Sequence, residues 1–180
     1  WAIGPLDIEY HDNEWGRETH NDQMLFEYLI LEGMQAGLSW SLILKKRENF
    51  KRAFDNFDYN ICANYTDEYL ESLRQDASII RNKLKIYSVR KNAVAFLKVQ
   101  KEFGSFDKYI WGFTDYKKIN NKLESYKDAA SESELSTRIS KNLKKRGFSF
   151  VGSTIIYSYM QAIGMINDHE KGCFCYEECC

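Results

Sequence analysis

Proline and strand-like alternation are nearly absent from this 180-residue sequence. Its single proline, Pro5, falls in what we expect to be an N-terminal loop. Elsewhere apolar residues recur at three- and four-residue spacing, and the Gly- or Pro-rich turns that bound β-strands are scarce. The sequence therefore predicts an all-α fold and argues against a β-rich one.

Long apolar runs are missing too, and so is an excess of charge of one sign. No apolar segment is long enough to span a bilayer, so we expect no membrane partner and a cytoplasmic location. Because the chain begins with Trp1 rather than Met, we expect that its first few residues lie outside the sequence. The 25 basic and 26 acidic residues give a net charge of -1. This balance argues against nucleic-acid binding by bulk charge and requires any DNA-binding surface to be local.

The length fits one ordinary domain, or two small lobes sharing a core, and we expect a monomer. Helices are predicted at about 21–36, 40–53, 67–75, 79–103, 106–113, 132–145 and 153–164. The predicted lobes are 1–39 together with 131–180, and 40–130 as a helical insertion between them. The basic run at 45–52 is interpreted as an exposed helix face without a functional role, and the run at 144–146 as a helix C-terminus whose dipole favours cations.

Disulfide bonds are not expected, although the chain has five cysteines. Four of them crowd into the last eight positions, whereas a disulfide framework distributes its cysteines through the fold. Reduced thiols with one or two metal ligands fit this placement better. His169 and Cys173 have the His-x3-Cys spacing of one half of a tetrahedral zinc site, but the spacing alone does not establish a metal. Cys62, in an apolar stretch, is interpreted as a buried small side chain.

Glu32 lies on the apolar stripe of the first predicted helix. It follows Leu25 by seven residues and Tyr28 by four, so a helix that buries those side chains also carries the carboxylate inward. A buried carboxylate is costly unless hydrogen-bond donors or a cation meet it. The sequence therefore requires a partner for Glu32.

Two interpretations of this carboxylate stay open at this point. Large rings with polar edges are dense in the nearby sequence: Trp1, Tyr10, Trp15 and Trp40. Glu32 could be a core residue bonded to a backbone amide or a Tyr hydroxyl while the rings simply pack, and patterning alone favours this. Alternatively, rings and carboxylate could form a pocket for a flat cationic heterocycle, because ring faces attract positive charge and the carboxylate can accept from an exocyclic amine.

Four segments together resemble the bacterial 3-methyladenine DNA glycosylase I family: YHDNEWG at 10–16, LEGMQAGLSW at 31–40, KKRGFSFVG at 144–152 and NDHEKGC at 167–173. The matches stay in register from Pro5 to Tyr176. The resemblance implies a helix-hairpin-helix DNA glycosylase fold with a zinc-tied region joining the N- and C-terminal segments. It also implies a monofunctional enzyme of base-excision repair that acts on double-stranded alkylated DNA. Such an enzyme flips out 3-methyladenine, releases it as the free base and leaves an abasic site.

The resemblance assigns roles to the aromatic cluster. On the family's pattern Glu32 is the catalytic residue and holds the base together with Tyr10 and Trp40, while Trp1 and Trp15 line the same pocket. Many related glycosylases use an Asp to support the sugar cation or a Lys nucleophile. The family that this chain resembles dispenses with that Asp, so Glu32 is expected to recognise the base rather than act as general acid or nucleophile.

Two further segments would hold DNA on the family's pattern. Gln35, Gly37 and Leu38 correspond to a wedge that fills the gap left by the flipped nucleotide; the alternative is a helix stop with a core leucine.

The segment 73–86 resembles the family's helix-hairpin-helix element, which points backbone amides at a phosphate. Ser78 and Arg81 would contact DNA there, and Lys83 and Lys85 could add phosphate contacts. This chain departs from the family, which commonly has Gly where Ser78 stands, and the departure disfavours close phosphate approach. An ordinary solvated face is the alternative.

Zinc is the cofactor that the resemblance implies, in a structural role. The family binds it through an N-terminal Cys and through the residues that are here His11, His169 and Cys173. The N-terminal Cys would fall just before Trp1, outside the sequence, so the fourth ligand is either that residue or Cys175. A site with four protein ligands has no open position for substrate and would clip the chain ends together.

Two other function classes stay open on the sequence. A zinc-tied helical module could bind damaged DNA without cleaving it, and a small-molecule binder could use the aromatic pocket. One departure from the family matters for the pocket. The family often has Tyr two residues after the proline that matches Pro5, and this chain has Asp7, which could place a second negative charge near a bound cation.

Overall fold

The computed structural model describes all residues from 1 to 180, and they form a mostly helical fold. The helices are α1 Pro5–Asn13, α2 Asp22–Gln35, α3 Trp40–Ala53, α4 Tyr59–Cys62, α5 Asp67–Leu73, α6 Lys83–Phe103, α7 Phe106–Trp111, α8 Glu134–Lys145, α9 Ser153–Ala162 and α10 Cys175–Glu178. Short 3-10 turns occur at Asp55–Phe57, Gly112–Thr114 and Tyr126–Asp128. The helical prediction is thus confirmed. None of the helices has the length and apolar character needed to cross a bilayer.

Strand structure is limited to one parallel pair of two residues each. Strand β1 Ile119–Asn120 pairs with β2 Ile166–Asn167, with Ile119 opposite Ile166. The pair connects the middle of the chain to its C-terminal segment.

Helix α1 corrects the prediction of an N-terminal loop around Pro5. Proline is unfavourable inside a helix, but here it occupies the first turn, where its missing N–H would have no intrahelical partner. Its fixed φ also suits the start of a helix. The correction matters because α1 carries Tyr10 and His11.

The start of α6 also differs from the prediction. The helix begins at Lys83, four residues later than expected, because Asn82 is extended and its side chain accepts a hydrogen bond from the Lys85 backbone N–H at 3.1 Å. Arg81 therefore precedes the helix. In the turn after α5, the Asp76 carboxylate accepts from the Ser78 backbone N–H at 2.8 Å.

The hydrophobic core is one cluster of 42 buried residues with α2 at its centre. Helix α2 begins at the predicted cap, since the Asn21 side chain accepts from the Met24 N–H at 3.1 Å. It packs against α3, α6, α7 and α9, so it touches parts of both predicted lobes. The division into 1–39 with 131–180, and 40–130, stays a prediction.

Candidate active site

The aromatic residues and Glu32 surround one pocket of about 180 Å³. Its walls are Trp1, Tyr10, Trp15, Glu32, Gln35, Trp40, Tyr126, Ser158 and Gln161. The structure thus brings together the five residues that the family resemblance assigned to a base pocket, and it adds Gln35 from the expected wedge. Their roles in binding stay predictions.

Three consecutive helices position the ring walls. Tyr10 lies on α1, Glu32 on α2, and Trp40 is the first residue of α3, where Ser39 caps the helix. The Tyr10 and Trp40 ring centroids are 5.1 Å apart and tilted by 51°, and those of Trp1 and Trp15 are 5.3 Å apart in an edge arrangement. A pocket lined by these rings beside a carboxylate suits a flat ligand with polar edges.

Glu32 is only 4% exposed, and burial raises its pKa from 4.5 to about 8. Burial is the only contribution to this shift, so no hydrogen bond or cation offsets it. The Tyr10 hydroxyl and the Trp40 ring N–H are also buried without a hydrogen-bond partner. Buried polar groups normally have partners, and three such groups on one pocket indicate a site prepared for a polar ligand.

A network of charged groups holds Tyr28, whose ring packs edge-on against the ring of Tyr10. The Glu14 carboxylate accepts from the Tyr28 hydroxyl at 2.7 Å and from Arg47 at 2.8 Å, and Arg47 also donates to Glu27 at 2.7 Å. Burial alone would raise the pKa of Glu14, but these hydrogen bonds outweigh it and the net pKa is lowered. The Arg47 side chain is 15% exposed, so its interpretation as part of a solvated face is wrong.

Three wall residues escaped the sequence analysis: Tyr126, Ser158 and Gln161. Tyr126 lies in a 3-10 turn of a polar loop, where no sequence pattern marks it. Ser158 and Gln161 are three residues apart on α9, and a polar pair on one side of an otherwise apolar helix was the available signal.

Asp7 does not belong to this pocket. It is buried on α1, and its carboxylate accepts from the Ser41 hydroxyl at 2.7 Å, which holds α1 against α3. The expectation of a second negative charge beside the ligand is therefore wrong. A short polar partner on the neighbouring helix explains why the side chain points away.

The end of α2 forms a tight loop beside the pocket. The Gln35 side chain donates to the Leu38 carbonyl at 2.9 Å, and the Leu38 N–H donates to the Gln35 carbonyl at 2.7 Å. Gly37 has φ of +77° with open space around it, a backbone conformation that favours glycine. Leu38 is half-buried and packs against the core, so its role as a wedge stays a prediction.

Lys85 corrects a second expectation. Its ammonium was expected to face phosphate, but the residue is 6% exposed and the ammonium donates to the Met34 and Ala36 carbonyls, each at 2.7 Å. Burial lowers its pKa. Arg81 and Lys83 remain exposed. The Ser78 carbonyl accepts from Lys46 at 2.9 Å, which holds the turn between α5 and α6 against α3.

A second cluster brings together four possible metal ligands: His11, His169, Cys173 and Cys175, whose ligand atoms all lie within 4.8 Å of one another. His11 Nε2 is 3.7 Å from Cys173 Sγ. His169 Nε2 is buried without a partner, while its Nδ1 lies 3.0 Å from the Asn167 side-chain oxygen. The Asn167 oxygen holds Nδ1 and so leaves Nε2 free to bind a metal.

The chemistry of this cluster suits zinc, which prefers imidazole and thiolate ligands. Burial, with a smaller effect from His11, lowers the pKa of His169 to about 4, so this imidazole is neutral at physiological pH. Its position depends on Gly16, where an added Cβ would lie 2.5 Å from the His169 ring. The His169 and Trp15 ring centroids are 4.6 Å apart, so the cluster adjoins the pocket wall.

Comparison with known proteins gives one consistent family. The sequence profile of the methyladenine glycosylase family matches residues 1–176. DNA-3-methyladenine glycosylase 1 of Escherichia coli strain K12 is 45% identical over 172 residues, which cover 96% of this chain and 92% of that protein.

Solved structures agree with the sequence comparison. A crystal structure of a 3-methyladenine DNA glycosylase I superposes with a TM-score of 0.95 at 44% identity, covering 98% of this chain and 97% of the other. The enzyme from Staphylococcus aureus, described for its recognition of 3-methyladenine, superposes with a TM-score of 0.94 at 32% identity. That match covers 96% of this chain and 92% of the other.

Proposed function

This chain belongs to the methyladenine glycosylase family, and we propose that it excises 3-methyladenine from alkylated double-stranded DNA by hydrolysis of the N-glycosidic bond. The observation that carries this function is Glu32, buried in a ring-lined pocket with no partner of its own. A positively charged base would be the partner that the Glu32 carboxylate lacks in the free protein.

The pocket discriminates by charge and shape. Methylation at N3 makes adenine cationic, and ring faces attract a cation by about 0.5–2 kcal/mol. Glu32 accepts a hydrogen bond from the exocyclic amine, while Tyr10 and Trp40 stack beside the base. Neutral adenine gains neither the cation interaction nor the full strength of the carboxylate contact, so the pocket favours the damaged base.

The reaction needs little acid catalysis, because the base leaves as a neutral molecule from a cationic nucleoside. Water adds at C1′ of the sugar, the bond to the base nitrogen breaks with its electron pair going to the base, and one proton is released. The products are an abasic site and free 3-methyladenine. Glu32 contributes by holding the flipped state and the developing transition state, not by forming a bond.

We further propose that the α2 end and the turn before α6 hold the duplex while the base is flipped. Gln35, Gly37 and Leu38 would fill the gap in the stack, and Ser78 and Arg81 would contact phosphates. This proposal is supported by the exposed Arg81 and by Gln35, which lines the pocket and is bonded to the Leu38 backbone. In it, residues 73–86 act as a helix-hairpin-helix element.

We propose that His11, His169, Cys173 and Cys175 bind a structural zinc ion. A bound zinc would tie α1 to the C-terminal segment and would support Trp15, whose ring contacts His169. The support for this site is the ligand spacing and the unpartnered His169 Nε2.

The test is incubation with methylated DNA followed by identification of the released bases. Wild type should release 3-methyladenine and leave 7-methylguanine in place, and Glu32→Gln, a near-isosteric change, should release 3-methyladenine much more slowly. Binding of methylated DNA with no release of free base would instead indicate a damage-binding module without glycosylase activity.

A further inference from the structure

Lys85 is a buried cation in an unfavourable place on its own helix. It is the third residue of α6, where the helix dipole repels positive charge. It is 6% exposed, and burial lowers its pKa. Both the helix dipole and burial therefore disfavour the charged ammonium at this position. A lysine at this position needs a specific partner, and the partners lie on α2.

The partners are carbonyls at the end of α2. Helix C-termini leave carbonyls without intrahelical donors, and the dipole there attracts a cation. The Lys85 ammonium donates to the Met34 and Ala36 carbonyls at 2.7 Å each, and so caps α2 from another helix. Backbone N–H groups of the chain that follows α2 satisfy the Gly33 and Gln35 carbonyls, and the lysine from α6 satisfies the two carbonyls that remain.

The capped segment connects two proposed functional features. Met34 follows Glu32 by two residues, and Ala36 lies between Gln35, which lines the pocket, and Leu38, whose backbone Gln35 holds. The opposite end of the link, Lys85, lies four residues after Arg81 in the turn that would hold phosphate. One side chain therefore fixes the base-binding segment relative to the phosphate-binding turn.

We propose that Lys85 is a positioning residue that holds the end of α2 in place relative to the turn before α6. When that turn binds the DNA backbone, the flipped base is then aligned with the pocket. The proposal rests on the function proposed above. Misplacement of a reacting group by about 1 Å can cost about a hundredfold in rate. Losing the link should therefore impair excision from duplex DNA while leaving the pocket able to bind a free base.

The main variant is Lys85→Met, which keeps the length of the side chain and removes the ammonium. The matched control is Lys98→Met, the same substitution at an exposed position of the same helix. Because Lys85→Met also leaves two carbonyls without a donor and lowers stability, Lys85→Arg is measured in parallel as the conservative variant. All measurements are made at a temperature below every unfolding transition.

Two quantities separate positioning from general structural damage. One is the single-turnover rate of 3-methyladenine release from a methylated duplex, and the other is the Kd for free 3-methyladenine. We expect Lys85→Met to lower the rate by about tenfold to a hundredfold, with the Kd changed less than about threefold. Lys85→Arg should recover part of the rate, and Lys98→Met should match wild type.

The proposal is overturned if Lys85→Met excises at the wild-type rate, or if its Kd for the free base rises as much as its rate falls. The second result would mean that the lysine only maintains the pocket. If wild type itself releases no 3-methyladenine, the proposed function fails, and that outcome is distinct from a failure confined to Lys85.

Discussion

The side-chain amide nitrogen of Gln161 donates to the Asp168 carboxylate at 2.8 Å, behind the wall of the aromatic pocket. Asp168 also accepts from the Tyr157 hydroxyl at 2.9 Å and from Asn121 at 2.6 Å. An ionised carboxylate only accepts, so Asp168 fixes which end of the Gln161 amide it holds. With its amide nitrogen held by Asp168, Gln161 can offer its amide oxygen to a ligand as an acceptor.

This orientation predicts that Gln161 contributes to base selection. An acceptor beside Glu32 favours a base that presents donors and opposes one that presents a carbonyl oxygen, as guanine does. Gln161→Ala should lower kcat/KM for 3-methyladenine release by roughly fivefold, the equivalent of one hydrogen bond of about 1 kcal/mol. The substitution should also reduce the preference for 3-methyladenine over 7-methylguanine. Equal release ratios in variant and wild type, in a variant that unfolds at the wild-type temperature, would remove Gln161 from recognition.

Glu32 predicts a pH dependence of excision. Its pKa of about 8 in the free protein means that it is mostly protonated at neutral pH, whereas attraction to a cation requires the carboxylate. We expect kcat/KM to rise with pH and to level off above about 8. Glu32→Gln should be slower and should lose the rising limb. A wild-type profile that is flat between pH 6 and 9 would contradict this assignment.

The same pKa predicts a pH dependence of stability with the opposite direction. Unfolded, Glu32 releases its proton near 4.5; folded, it keeps it to about 8. Between these values the folded state binds the additional proton, so the free energy of unfolding from this group falls as pH rises. Urea denaturation at pH 5 and pH 8 should show a smaller loss in Glu32→Gln than in wild type. An identical loss of unfolding free energy between pH 5 and pH 8 in the two proteins would argue against a raised pKa of Glu32.

Helix positions and the inward direction of Glu32 could be read from the sequence because both follow from periodicity. The α3 bounds agree with the prediction at both ends, and the stripe through Leu25 and Tyr28 does bury Glu32. Periodicity also indicates which of two nearby lysines turns inward, because Lys85 precedes the buried Val89 by four residues and Ala93 by eight, whereas Lys83 lacks this spacing. What periodicity cannot show is the partner of that lysine, which comes from the end of α2.

The pocket was predictable on one side only. Its rings come from the N-terminal residues and α3, whose sequence is dense in Trp and Tyr. Tyr126 reaches the pocket from a distant loop that the pairing of β1 with β2 brings close, and a two-residue strand pair leaves no periodic signal. Asp7 shows the reverse case, a nearby residue that a partner on α3 turns away.

Because the Tyr10 hydroxyl has no hydrogen-bond partner, we predict that its removal affects ligand affinity but does not lower the stability of the fold. Tyr10→Phe removes a buried group that has no hydrogen bond, so the free energy of unfolding should stay the same or rise, while affinity for free 3-methyladenine falls. Tyr28→Phe is the matched control, because the Tyr28 hydroxyl donates to Glu14 at 2.7 Å. That variant should lose about 1–3 kcal/mol of stability. Chemical denaturation and titration with the base measure both effects, and a destabilised Tyr10→Phe would show that the hydroxyl has a partner in the folded protein.

The cysteines predict which thiols hold zinc. Cys173 and Cys175 belong to the cluster with His11 and His169, whereas Cys180 is exposed at the last position. Purified protein should contain one zinc per chain, and Cys173→Ser and Cys175→Ser should each lower metal content, because a hydroxyl is a poor zinc ligand. Cys180→Ser should bind zinc as wild type does. Chelation should lower the unfolding temperature, since a bound metal would tie α1 to the C-terminal segment and would bind only the folded chain. Full zinc content in Cys175→Ser would show that Cys175 is not a ligand. Wild-type protein that contains no zinc when purified without chelators would refute the site.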